Sequence, residues 1–175
     1  SGTRSMPRTS STMGNLKITD GVPENQDGTF AGSNVCVKKV PLKDNSAELA
    51  EAQAFLHFTL DSLKFSEKTL TKIVVSGNAA TDFVSGDLNL TLSDDGTISA
   101  GYENTANEVV VDKSASAFYT GTDYYVALPA REYSSGITFT LYNGGTVIGR
   151  VKTNAITTAI GQIFDLGELH KHARI

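Results

Sequence analysis

A chain of 175 residues with 39% hydrophobic and 19% charged side chains is sized for one domain around one substantial core, and it is too apolar for a disordered segment. Its net charge of −4 speaks against a dedicated nucleic-acid binder, which needs a basic face to neutralise phosphates. The single cysteine, Cys36, excludes an internal disulfide and a cysteine-built zinc cage, and no stretch approaches the roughly 20 apolar residues of a membrane-spanning helix.

Residues 1–14 are rich in Ser, Thr and Arg, lack periodicity and carry no signal-peptide pattern, so they read as a flexible N-terminal segment. Leu16-Lys17-Ile18 and Val35-Cys36-Val37-Lys38 read as strands. Ser46 to Ala54 is Ala/Glu/Leu-rich with Ser46 placed as an N-cap, and it fits either one helical turn or an extended edge segment. Ala54, Leu56, Phe58 and Leu60 alternate with Phe55, His57, Thr59 and Asp61, the mark of a strand with one face in the core. Leu70 to Val75 is the next strand, closed by a turn at Ser76-Gly77-Asn78.

Leu88, Leu90 and Leu92 alternate with Asn89, Thr91 and Ser93, and Asp95-Gly96 then signals a hairpin before Thr97-Ile98-Ser99. Val109-Val110-Val111 is a short β-branched run, and Tyr124 to Leu128 is a strand that stops at Pro129. Ile137, Phe139 and Leu141 oppose Thr138, Thr140 and Tyr142, Asn143-Gly144-Gly145 turns, and Thr146 to Val151 returns. Gln162 to Leu166 is the last strand. Turn signals at this spacing predict an all-β protein, a β-sandwich of about seven to nine strands over residues 15–169, with 170–175 as a C-terminal tail.

Candidate chemistry is sparse, and the chain reads as a non-enzyme with no catalytic residue, cofactor or metal site assigned. His57 sits among aromatics on a strand and reads as a packed or rim residue, while His170 and His172 form a His-Lys-His in the tail with no third ligand. Asp94-Asp95-Gly96 offers carboxylates but not the ligand series of a calcium loop, and a turn explains it. Asp82 and Asp87 flank Gly86, and Asp61 and Asp123 stand near turns; nothing marks two of them as an acid/base pair. Ser134-Ser135-Gly136 is no nucleophile elbow, Cys36 reads as a small buried hydrophobe, and no glycine loop suits a phosphate. Tyr102, Tyr119, Tyr124, Tyr125, Tyr133 and Tyr142 would make a sugar-stacking surface if they shared one exposed face, and otherwise cap the core with their hydroxyls toward water. Asn89-Leu90-Thr91 matches the N-glycan sequon but lies in a strand.

The order of these strands resembles the fimbrillin-like family of Bacteroidales-type fimbrial and surface adhesion proteins, in its first-domain region. The resemblance is carried by Ala54-Phe55-Leu56-His57-Phe58-Thr59-Leu60, with its "FTL"-like end, then by Lys72-Ile73-Val74-Val75-Ser76-Gly77-Asn78, and then by Gly86-Asp87-Leu88-Asn89-Leu90. Downstream, Tyr124-Tyr125-Val126-Ala127-Leu128-Pro129, Gly136 to Tyr142 and Ile160 to Gly167 are similar to the family's later strands, so the likeness covers roughly residues 30–168. It implies a sandwich with transthyretin-like Greek-key topology, export as a lipoprotein, and display on the outer membrane or in a fimbrium.

It further implies a pilus stalk, tip or anchor component, joined to other fimbrial subunits by strand addition or bound to host or bacterial surface ligands. Arg4 and Arg8 lie where an N-terminal arginine cleavage would fall, while Cys36, inside an apolar strand, is not a lipobox cysteine. Members often carry a second domain, which the likeness here does not include. Asp61-Ser62-Leu63 resembles the short O-glycosylation sequon of bacteria where the family is common, which puts a modification at Ser62. The alternative function is a surface glycan-binding module, or an accessory domain of a polysaccharide-utilisation system.

Overall fold

A computed structural model of the chain describes residues 15–33, 36–39, 48–61, 68–93, 97–169 and 173–174. Among these residues the regular structure is almost wholly β, in sixteen strands of which four are only two residues long. The count exceeds the expected seven to nine even without the two-residue segments, since twelve strands have four residues or more. The exception to β is α1 (Phe30–Ser33), a four-residue turn that the sequence pattern does not announce. It is started locally: the Thr29 N–H and hydroxyl both donate to the Asp27 carboxylate, at 2.8 and 2.7 Å, and the Gly32 N–H donates to the Thr29 hydroxyl at 3.0 Å. No helix among the described residues is long and apolar enough to cross a membrane.

The largest sheet has six strands in the order β16 (Ala173–Arg174), β13 (Thr146–Lys152), β12 (Ile137–Asn143), β6 (Lys72–Gly77), β9 (Glu108–Asp112) and β2 (Asn25–Gln26). Neighbours are antiparallel except β2 and β9, which are parallel. Gly144 takes φ +58° at the first central position of the β12–β13 hairpin, a conformation that favours glycine. The register then slips between Leu141 and Tyr142, and this bulge lets Ile148 and Gly149 both face inward although they are adjacent in sequence. The strand β6 runs through Ser76 and Gly77, two residues into the expected turn.

A second sheet has the order β10 (Tyr124–Leu128), β5 (Ala54–Thr59), β15 (Ile163–Glu168), with β10 antiparallel and β15 parallel to β5. A third consists of β1 (Asn15–Val22), β7 (Ser85–Leu92) and β8 (Ile98–Ala106), all antiparallel. Two small pairs complete the set, β3 (Cys36–Lys39) with β4 (Glu48–Glu51), and β11 (Glu132–Tyr133) with β14 (Ile156–Thr157). In the Ser46 to Ala54 segment the extended alternative therefore holds for residues 48–51, and Ser46 lies outside the described residues. Ala173 and Arg174, assigned to the tail, add to the edge of β13.

The main core lies between the six-stranded sheet and β10-β5-β15. Leu56, Phe58, Val126 and Leu128 meet Ile73, Val75, Val109, Val111, Phe139 and Leu141, all fully buried. The Phe58 ring packs edge-on to Phe139, with centroids 5.4 Å apart. A smaller core occupies the opposite face of β5 and β10, where Phe55 and Ala127 pack on Ile18, Val22, Leu88 and Leu90 of the third sheet. The sandwich is thus backed by a third layer, and β5 is buried on both faces. That corrects the one-sided burial expected of β5: Phe55, in the supposedly outer phase, is completely buried.

Candidate functional site

The two edges of the β10-β5-β15 sheet are treated differently. Along β10, the Tyr125 N–H donates to the Gly28 carbonyl at 2.8 Å. Next to it the Gln26 side chain stands in for a strand: the Ala127 N–H donates to Gln26 Oε1 at 2.8 Å, and Gln26 Nε2 donates to the Ala127 carbonyl at 2.9 Å. The backbone of Gln26 meanwhile belongs to β2 on the six-stranded sheet, so this residue ties two layers together. The β10 edge is closed.

On β15 no strand lies beyond the pairing with β5 among the described residues. Phe164 and Leu166 pack, partly buried, against the main core, while Ile163 is 49% exposed. Ile163 pairs in register with Phe55, and Asp165 with His57, so both point to the face of the smaller core. A strand laid against β15 would meet the partly buried Phe164 and Leu166 on one face, and Ile163 beside the carboxylates of Asp165 and Glu168 on the other. The outer edges of the third sheet offer less: on β8, Ser99, Gly101, Glu103 and Thr105 are all exposed and polar or small.

On the smaller-core face of the sheet, on its central strand, His57 is held between two carboxylates. Its Nδ1 lies 2.9 Å from Asp165 Oδ1 on β15, and its Nε2 lies 2.8 Å from Asp123 Oδ1 in the turn before β10. The imidazole is 18% exposed, the aspartates 65% and 67%, and the Tyr125 ring lies 5.0 Å from the imidazole. Burial alone would lower the His57 pKa, but its hydrogen bonds to the carboxylates of Asp123 and then Asp165, with their charges, outweigh it and raise the value. The Asp165 carboxylate is lowered by His57 and by the Gly167 N–H, which donates to Oδ1 at 2.8 Å. Because each aspartate occupies a different ring nitrogen, the three do not converge on one point, and no group of three His, Cys, Asp or Glu side chains among the described residues could hold a metal ion.

His57 is therefore the rim residue that its sequence context suggests, but Asp123, read as isolated, is its partner, and Asp165 had no sequence signal at all. They stand 66 and 108 residues from His57 along the chain, and only the strand order brings them together. Asp82 and Asp87 are not brought together. Both oxygens of Asp87 are used, Oδ1 by the Asp20 N–H and Oδ2 by Asn104 Nδ2, each at 2.8 Å. Those bonds, Asp20 first, hold the Asp87 pKa below the carboxylate range. Asp20 and Asn104 both have positive φ, so Asp87 pins irregular backbone on the two strands flanking β7.

Asp82 pairs instead with Arg131, 2.9 Å from the guanidinium, which also lies over the rings of Phe83 and Tyr133 at 4.4 and 5.2 Å. Asp82 Oδ2 is buried with no partner, so Arg131 must balance most of that charge. The tyrosines do not form a row. Tyr124 and Tyr133 are buried in the main core, with Tyr133 donating to the Phe83 carbonyl at 2.9 Å. The Tyr102 hydroxyl accepts from the Ala130 N–H at 2.7 Å, Lys72 covers the Tyr142 ring at 4.4 Å, and only Tyr119, at 60%, is largely exposed. Asn89 is half-buried on β7. Arg4, Arg8, Ser62, Asp94 to Gly96, His170, His172 and the Cys36 side chain lie outside the described residues. Comparison with protein-family models gives no match for this sequence, and neither does comparison with curated proteins.

Proposed function

We propose that the chain is a non-catalytic cell-surface fimbrial or adhesion protein, a stalk, tip or anchor component, that assembles or binds through the edges of its sandwich. The observation that carries the reading is the contrast between the closed β10 edge and the β15 edge, which is open among the described residues and presents partly buried Phe164 and Leu166 on one face and exposed Ile163 on the other. An edge of this kind is a template for another strand unless it is blocked. The order of the strand motifs supports the same reading. With it go the transthyretin-like Greek key, export, a lipid-anchored precursor, and display on the outer membrane or in a fimbrium. Its partners are then other fimbrial subunits or ligands on host and bacterial surfaces. The glycan-binding alternative has no carrying observation, because the tyrosines it needs are dispersed and two of them are spent in the core.

Native size by light scattering, before and after brief treatment with an arginine-specific protease, tests the proposal. The expected result is a ladder of oligomers after trimming, suppressed when Ile163→Lys places a charge on the open edge. A trimmed chain that stays monomeric, together with a wild-type chain that adheres no better than Ile163→Lys, would overturn it.

A further inference from the structure

We propose that Asp123, His57 and Asp165 form a proton-operated clasp on the edge strand: the protonated imidazole ties β15 and the turn before β10 to β5, and loss of the proton loosens β15. The argument begins with donor counting. Both ring nitrogens of His57 lie within 2.9 Å of a carboxylate oxygen. A carboxylate only accepts, so both contacts are hydrogen bonds only when both nitrogens carry hydrogen, which is the imidazolium. A neutral ring must leave one nitrogen lone pair facing an anionic oxygen, and one of the two contacts breaks.

The Asp165 contact is the one that matters for β15. Asp165 Oδ1 accepts from His57 and from the Gly167 N–H, and Gly167 sits at the register slip of β15 with φ +67°. The same oxygen thus fixes the strand's irregularity and its attachment to β5. The groups that face the imidazole are Asp123 before β10, Asp165 on β15 and the Tyr125 ring on β10. The raised His57 pKa agrees in sign, since a group raised on folding contributes stability below its unfolded value, here 6.5, and loses it as pH climbs through the folded value. Asp165, lowered, keeps its charge well into acid. The clasp is shut in mild acid and opens toward neutral and alkaline pH.

A consequence for assembly follows only if β15 is the assembly edge as proposed above: the edge would be easiest to remodel once His57 is neutral. Amide exchange followed by NMR on the full chain between pH 5 and 8.5, corrected for intrinsic exchange, tests the clasp, with β12 as internal control. Protection of β15 should fall on the order of threefold to tenfold, with a midpoint at the His57 titration, while β12 holds. Asp165→Asn and His57→Gln should each flatten that step, and Asp165→Asn keeps an acceptor for Gly167, so it guards against misfolding as the cause. Unchanged β15 protection across the His57 titration, or a His57 midpoint below 6.5, overturns the proposal. Light scattering on the same samples separates the two readings, since β15 loosening in a chain that never associates supports the clasp and removes β15 as the assembly edge.

Discussion

On one face of the β10-β5-β15 sheet, Leu56 and Phe58 meet a six-stranded partner whose inward residues are completely buried; on the other, Phe55 and Ala127 meet three strands whose Leu16, Ile98, Ala100 and Tyr102 are only partly buried. The same strand thus feeds a sealed core and a leaky one. Area explains the difference. A six-stranded sheet overhangs its partner, whereas the β1-β7-β8 layer matches it in width and needs Phe30 from α1 to help cover the margin. The sealed core is held by packing, and the leaky one adds polar pins such as Asp87.

A matched pair of truncations is the strongest test of that contrast. Leu141→Ala empties a fully buried site in the main core and should cost about 4 kcal/mol, while Leu90→Ala, where half-exposed neighbours can collapse, should cost about 2–3 kcal/mol. Equal losses in urea denaturation would erase the distinction. Gln26→Ala sharpens it at the closed edge, because it strands the buried N–H and C=O of Ala127, at a cost of about 1–3 kcal/mol. A loss below about 0.5 kcal/mol would mean that solvent already serves that edge.

The smallest expected effect is an acid one. A carboxylate whose pKa is depressed on folding contributes stability above its unfolded value and loses it as pH falls through the folded one, so Asp87 should steepen the loss of stability below pH 4. Asp87→Asn should shrink that acid slope and leave the neutral-pH slope, which belongs to His57, in place.

Much of the fold is legible in the sequence wherever burial is one-sided. The Ile137-Phe139-Leu141 alternation with its Gly144 turn reappears residue for residue, and Pro129 follows the end of β10. Legibility fails where a strand is covered twice. In β5 the alternation finds Leu56 and Phe58 but assigns Phe55 to solvent, since a period of two says nothing about a second layer; the aromatic itself was the available sign. The candidate site was less legible still. His57 is readable as a rim residue, but Asp165 and Gln26 act through partners about a hundred residues away, and single-residue chemistry carries no mark of that.

The parallel pairing of β15 with β5 sets the order in which this molecule can be made. Residues 163–168 are among the last described and bond to residues 55–59, far behind them in the chain. The middle sheet therefore stays incomplete during synthesis until the closing segment arrives, and this high contact order places folding in a slow class, roughly milliseconds to seconds. Until then it is β5, not β15, that offers an unpaired edge beside two half-built cores. A nascent chain of this design has one late closing step, and any companion that shields it must act on the β5 edge before that step.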